Sequence, residues 1–369
     1  MRSLLCVALA GLGCSSRVNS EYCQNHGTDH QYCPWLDAEV PDSQSLCLGA
    51  GSFTLCVDTP AAPVTLPTDL DTDLSTACLP AQPAMWKTAG QPDACIVVGT
   101  MVSIDNVRAH GGRPLVVFAS GTITVTGLDV SSTHSGSVGA GYDPSVCVAG
   151  AAPGSSTSGG GGGAGGTFYG GMGGAGGSAN GGIVAGGMPG TAVTTMPELM
   201  RGGCPGQNGG NGAGGAGGGN GATGGGAVYL ASGGQIDLSN ATINASGAGG
   251  NGATVSNAGG GGGGAGGMII LHAATIGASN AKLLANGGGG GGFQVAAQPG
   301  ADPNPTMPTM PAPGGTLGGG TGFGGPSNAQ TGTGGTGGNG GGGGGGGGGY
   351  IQTNHVLGTT QVSPAAVMI

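Results

Sequence analysis

Charge is what this chain has least of: only 6% of its 369 residues are Asp, Glu, Lys or Arg, where about a quarter is usual in soluble domains. Aromatic residues are also scarce, at 4%. Neither a tail kept open by charge repulsion nor a large aromatic core fits that composition. The seven bases, Arg2, Arg17, Lys87, Arg108, Arg113, Arg201 and Lys282, are scattered along a chain of net charge −9. That excludes the clustered basic footprint of a nucleic-acid-binding protein. The acids crowd toward the N-terminus, and from residue 144 onward only Glu198, Arg201, Asp237, Lys282 and Asp302 are charged. General acid–base chemistry, metal capture and phosphate binding all need ionisable groups brought together. The sequence therefore predicts no enzyme, no cofactor and no metal.

Glycine takes the place of what is missing, with 95 Gly and 22 Pro making up close to a third of the chain, against roughly 12% in ordinary proteins. The chain opens with Arg2 ahead of an apolar run from Leu4 to Leu12, the layout of a secretory signal over residues 1–13. The run is too short to span a bilayer. The segment Ala10-Gly-Leu-Gly-Cys14-Ser-Ser resembles a bacterial lipoprotein signal, which implies lipid attachment at Cys14 and a membrane as partner. Gly11 stands where that signal prefers Leu. Cleavage without a lipid, or an uncleaved start, stays open.

If Cys6 leaves with the signal and Cys14 carries lipid, eight cysteines remain: Cys23, Cys33, Cys47, Cys56, Cys78, Cys95, Cys147 and Cys204. An even set in an exported chain predicts disulfides. Nearest-neighbour pairing is the simplest arrangement, and the sequence does not select it over the others.

Residues 14–59 read as a Cys-rich head and 60–94 as a Pro/Asp-rich linker. From Cys95 the character changes to short β-branched runs between Gly-containing turns. A repeat emerges when these runs are aligned. Pro114-Leu-Val-Val-Phe-Ala-Ser120, Ala227-Val-Tyr-Leu-Ala-Ser232, Met268-Ile-Ile-Leu-His-Ala273 and Tyr350-Ile-Gln-Thr-Asn-His355 each lead into shorter strands. Such a unit cannot bury its apolar side alone, so stacking is the natural solution. The expectation is an all-β chain whose residues 95–369 form a parallel β-helix-like solenoid. An antiparallel sandwich using the same strands is the alternative.

Glycine-rich insertions occupy 150–226, 247–267 and 286–349. From Gly203 to Gly224, Gly recurs at every third position, the period of an extended helix with three residues per turn and no internal hydrogen bonds. Packed polyglycine-II helices and low-complexity loops both fit the unpunctuated runs Gly259–Gly264, Gly287–Gly292 and Gly340–Gly349.

The Cys14 signal, Cys95-Ile-Val-Val-Gly-Thr-Met-Val-Ser-Ile, Arg113-Pro-Leu-Val-Val-Phe-Ala, Arg201-Gly-Gly-Cys-Pro-Gly and Gly349-Tyr-Ile with its Ser363-Pro ending resemble glycine-rich surface lipoproteins of gliding predatory bacteria, of the myxobacterial type. The tracts are also similar to the polyglycine sandwiches of phage tail-tip adhesins and of the glycine-rich extracellular domain of a receptor tyrosine kinase. These resemblances imply binding or scaffolding at the cell surface or outer membrane. The implied partners are a cell-surface polysaccharide or another surface protein.

Several residues invite a chemical reading. Cys23, His26, His30 and Cys33 have zinc-ligand types and spacing, set against a simple Cys23 to Cys33 disulfide loop. Asp69-Leu-Asp71-Thr-Asp73 matches the opening of a calcium loop, but Leu74 and Pro80 stand where Gly and Glu are required. His110, His134, His272 and His355 have no acidic or Cys neighbours in sequence and read as strand or loop residues. Asp105, Asp129 and Asp237, one acid per repeat without basic partners, would serve a carbohydrate-active β-helix enzyme only if two of them met in a groove. Asn240, Asn244, Asn251 and Asn257 read as caps of β-helix turns.

Overall fold

A computed structural model describes residues 45–142, 145–169, 171–192, 195–294, 297–325, 328–330 and 339–369. Residues 46–369 form one compact unit. It is nearly all-β, with one short helix, α1 (Ala84–Thr88). No helix among the described residues is long and apolar enough to cross a membrane.

The strands stack in three columns. The first contains β5 (Cys95–Gly99), β8 (Leu115–Ala119), the first half of β11 (Ala227–Asp237), the first half of β13 (Met268–Gly277), β15 (Tyr350–Thr353) and β17 (Val367–Met368). The second contains β3 (Val64–Thr65), β6 (Val102–Ile104), β9 (Ile123–Val125) and the second halves of β11 and β13. The third runs β4 (Asp69–Asp71), β7 (Val107–His110), β10 (Gly127–Asp129), β12 (Thr242–Asn244), β14 (Lys282–Leu284) and β16 (Gln361–Ser363). Every ladder between these strands is parallel. Parallel neighbours need long crossovers, and here the crossover is the rest of the circuit through the other columns. That arrangement rules out the antiparallel sandwich.

Register explains the sequence pattern. Val97, Val117, Leu230 and Leu271 lie side by side in the first column. Val107, Leu128, Ile243, Leu283 and Val362 do so in the third. These rows point inward and form one apolar cluster. The first column is buried on both faces, which is why Leu115-Val-Val-Phe-Ala119 is continuously apolar. Its outer side is covered by Phe53, Leu55, Trp86, Phe168 and Met200, which pack with Phe118 and Tyr229. The Trp86 indole N–H donates to the Pro92 carbonyl at 2.8 Å.

Two readings of the N-terminal third need correction. Residues 60–94 are not simply an extended linker: β3 and β4 join the second and third columns, and α1 buries Trp86. The part of the head within the described residues pairs β1 (Ser45–Leu48) with β2 (Leu55–Asp58). It belongs to the same compact unit as the stack. Two-residue β3 and acid-flanked β4 carry too little periodicity to announce themselves.

All three glycine-rich insertions leave from one corner, after a third-column strand and before the next first-column strand: β10 to β11, β12 to β13 and β14 to β15. Beyond that corner they bond to one another. In the segment 259–266, Gly260, Gly263 and Gly266 donate to Gly341, Gly344 and Gly347, while Gly259, Gly262 and Ala265 donate to Gly210, Gln207 and Cys204. Gly261 and Gly264 donate to Asn251 and Ala248. The carbonyls of the same segment accept from Gly163 and Gly166, from Gly219, Ala222 and Gly225, and from Gly288 and Gly291. One extended segment is thus bonded to neighbours on every side, each phase of a three-residue period facing its own partners.

The close approach excludes side chains. A methyl carbon on Gly262 would lie 2.0 Å from the carbonyl oxygen of Ala164, and one on Gly260 would lie 2.1 Å from that of Gly291. Fixing a glycine costs about 0.5–1 kcal/mol more than fixing an alanine, and leaving a buried amide unpaired costs about 1–3 kcal/mol. Complete lateral bonding is what makes the ordered glycine tract sustainable.

Candidate functional site

The outer side of the third column carries a row of polar residues at one register: Asp69, Arg108, Asp129 and Asn244 face one another on successive strands. The inward residues of the same strands, Leu70, Val107, Leu128 and Ile243, are buried. Strand alternation therefore sends the polar set outward. Arg108 Nη1 lies 2.8 Å from Asp129 Oδ2, and its Nη2 donates to the Val138 carbonyl at 3.1 Å. Asp129 Oδ1 accepts the amide of Ser131 at 3.0 Å.

A groove of about 340 Å³ opens over this row, lined by Asn106, Arg108, Asp129, Thr242, Asn244 and Pro305, among others. Gly127 sits in register with Thr242, and the Asn106 side chain closes over it, its Oδ1 2.7 Å from where a Cβ would stand. The rim near Pro305 is tied down where Lys282 Nζ donates to the Thr306 carbonyl at 3.1 Å and Asn286 Nδ2 to that of Pro308 at 2.6 Å. Asn244 is 8% exposed, and its Oδ1 accepts the Ser246 amide at 3.2 Å. This groove was not legible in the sequence, because its members on β7 and β12 are 134 or more residues apart, from Arg108 to Thr242, and only the strand register brings them together.

Of the three carboxylates weighed for catalysis, only Asp129 lines the groove. Asp105 accepts from Asn106 Nδ2 at 3.0 Å and Thr126 Oγ1 at 2.5 Å. Asp237 accepts from the amide and hydroxyl of Ser239 at 3.0 and 2.7 Å. Asp129 also corrects the expectation of acids without basic partners, since Arg108 is held against it by the pairing of β7 with β10.

The aspartates of the calcium-like segment are used in local structure. Asp71 Oδ1 accepts the amides of Asp73 and Leu74, and Asp73 accepts those of Gly112 and Arg113. Among the described residues no three His, Cys, Asp or Glu side chains gather as metal ligands. Disulfides join Cys47 to Cys56, Cys78 to Cys95 and Cys147 to Cys204. Cys14, Cys23, His26, His30 and Cys33 lie outside the described residues.

The histidines are less isolated than their sequence neighbours suggest. His110 Nε2 lies 3.2 Å from Asp69, and His134 Nδ1 lies 3.3 Å from Asp302, a residue remote in sequence. Burial, and then the nearby His355, lowers the pKa of His272. Burial pushes the Tyr350 hydroxyl up to about 12, aided by Tyr169. Burial alone raises that of Tyr229. Among the asparagines, Asn240 and Asn280 occupy left-handed turns, with φ of 60° and 56°, one above the other at the second corner. Asn257 serves the glycine tracts instead, its Oδ1 accepting the Ala213 amide at 3.0 Å. No protein family model, curated protein or solved structure matches the chain.

Proposed function

We propose that this chain is an exported surface protein, attached to a membrane by a lipid on Cys14, in which a β-helix-like solenoid carries a polyglycine-II bundle as a structural or adhesive module. The observation that carries this reading is the segment 259–266, hydrogen-bonded to neighbours through all three phases of its period. A bundle of that kind has few charged side chains, Glu198, Arg201 and Asp302 being the only ones in the three insertions, so it serves as material rather than as a reaction centre. The signal-like start and the disulfides are consistent with export. The reading keeps the likeness to glycine-rich surface lipoproteins of the myxobacterial type, and it takes a cell-surface polysaccharide or another surface protein as partner.

The test is expression of the full chain and of Cys14→Ala in a bacterial host, followed by fractionation, external protease treatment and a cell-attachment assay. The wild-type protein is expected in the membrane fraction, protease-accessible from outside, and to increase attachment. The variant is expected in the soluble exported fraction. Unchanged membrane association of Cys14→Ala would refute the anchor, and wild-type cells that attach no better than control cells would refute the adhesive role.

A further inference from the structure

We propose that the groove over the third column binds a neutral sugar residue of a polysaccharide chain. The inference rests on the adhesive reading above and gives it a site. Three properties of the groove point to that ligand.

The first is charge. Among the described residues the charged groups lining the groove are Arg108 and Asp129, which pair at 2.8 Å, with Asp69 beside Arg108 in the row and Lys282 at the rim held to the Thr306 carbonyl. An anionic ligand would have to approach Asp129 on a chain of net charge −9, and a cationic one would meet Arg108. Neither gains a net partner, while a neutral polar ligand is not penalised.

The second is uncommitted hydrogen-bonding capacity. Thr242 and Asn244 are two residues apart on β12 and share its outer face. Asn244 is almost wholly buried, yet among the described residues only its Oδ1 is engaged, by the Ser246 amide. Asn244 and Thr242 both line the groove, and among the described residues neither the Asn244 Nδ2 nor the Thr242 hydroxyl has a hydrogen-bond partner. These donors open onto the groove rather than into the core, since the buried side-chain atoms without a partner are the Tyr229 hydroxyl and His272 Nδ1 among the described residues, so a ligand oxygen can take the place of water there. The Asp129 carboxylate keeps lone pairs to accept from a ligand hydroxyl. Donors and acceptors set side by side suit a group that presents both, as adjacent sugar hydroxyls do.

The third is size and repeat. A volume of about 340 Å³ falls at the small end of ligand sites, enough for one or two sugar rings. The polar residues come from successive strands about 4.8 Å apart, a spacing comparable with that of residues along an extended polysaccharide.

The experiment uses the full chain and isothermal titration with neutral trisaccharides of glucose, galactose and mannose, with a galacturonate trisaccharide as the charged comparator. At least one neutral trisaccharide is expected to bind, more tightly than galacturonate. Asn244→Ala and Thr242→Val are each expected to weaken it about two- to tenfold, the effect of one lost hydrogen bond. Thr242→Val keeps the β-branched shape, and its thermal midpoint serves as the control for folding. Absence of binding by all three neutral sugars, preference for galacturonate, or wild-type affinity in both variants would overturn the site. Attachment assays on the same variants separate the two claims. Wild-type attachment that persists unchanged in the double variant overturns the groove and leaves the adhesive reading standing.

Discussion

Gly263 donates its amide proton to the carbonyl of Gly344 at 2.9 Å, Gly344 donates to Gly163 at 2.9 Å, and Gly163 donates to Gly260 at 2.9 Å, three residues from the start. Three segments from three different insertions are thereby locked in a cycle that repeats every third residue. None of the three can form this arrangement alone, and each relies on the strand stack to deliver it to the same corner. The low charge and the high glycine content of the chain have one cause: segments in contact on all sides leave no room for a side chain.

That contact predicts a sharp position dependence of Gly→Ala substitutions. Gly262→Ala places a methyl carbon 2.0 Å from the Ala164 oxygen, whereas at Gly112 the nearest atom is 3.5 Å away. Gly262→Ala is expected to cost about 1–3 kcal/mol, and Gly112→Ala within about 0.5 kcal/mol of zero. Urea unfolding of the two variants checks both values.

The strand stack has its own signature. Leu230 is fully buried between Val117 and Leu271, while Met101 is 56% exposed. Leu230→Ala is expected to lose about 2–5 kcal/mol and Met101→Ala little. Equal losses in denaturant titrations would contradict the assigned register.

The disulfides differ in the loops they close. Cys147–Cys204 spans a sequence separation of 57, and Cys47–Cys56 one of 9. On the chain-entropy account, replacing the first pair by Ala should cost about 1.5 kcal/mol more than replacing the second. Midpoints of chemical unfolding for the two double variants measure the difference.

His272 supplies a pH dependence. Its folded pKa lies below the ordinary value of 6.5, through burial and then His355. Neutral imidazole is therefore the form the fold accommodates. The associated stability is present above the unfolded pKa and is lost as pH falls below it. The thermal midpoint of the wild type should drop between pH 7.5 and 5 more steeply than that of His272→Gln. Parallel curves would show that another group is responsible.

Much of the architecture was legible in the sequence. Alternation in Ile123-Thr-Val125 and the continuous apolar run Leu115 to Ala119 mark a half-exposed and a doubly buried strand, and the structure places them so. The three-residue glycine period is matched by lateral hydrogen bonds that recur every third residue. Whether Gly259 to Gly264 would be ordered was not legible, since order there depends on partners as distant as Gly344 and Gly163. The pairs Arg108 with Asp129 and His134 with Asp302 were hidden for a related reason. The first is set by inter-strand register, and the second joins the segment just after β10 to the insertion 286–349 through a side chain. A two-residue strand such as β3 leaves no periodicity to detect and exists only because Val64 and Thr65 find Val102 and Ser103 beside them.

The proposed bundle stands only if the glycine tracts are held by their lateral hydrogen bonds. Amide hydrogen–deuterium exchange of the full chain, resolved by peptide mass spectrometry, measures that bonding. Peptides covering Gly259–Gly264, Gly287–Gly292 and Gly340–Gly349 are predicted to exchange as slowly as those of the buried strands β8 and β11. Exchange of the three tracts at the rate of an unfolded chain, while the strands stay protected, would contradict the bundle.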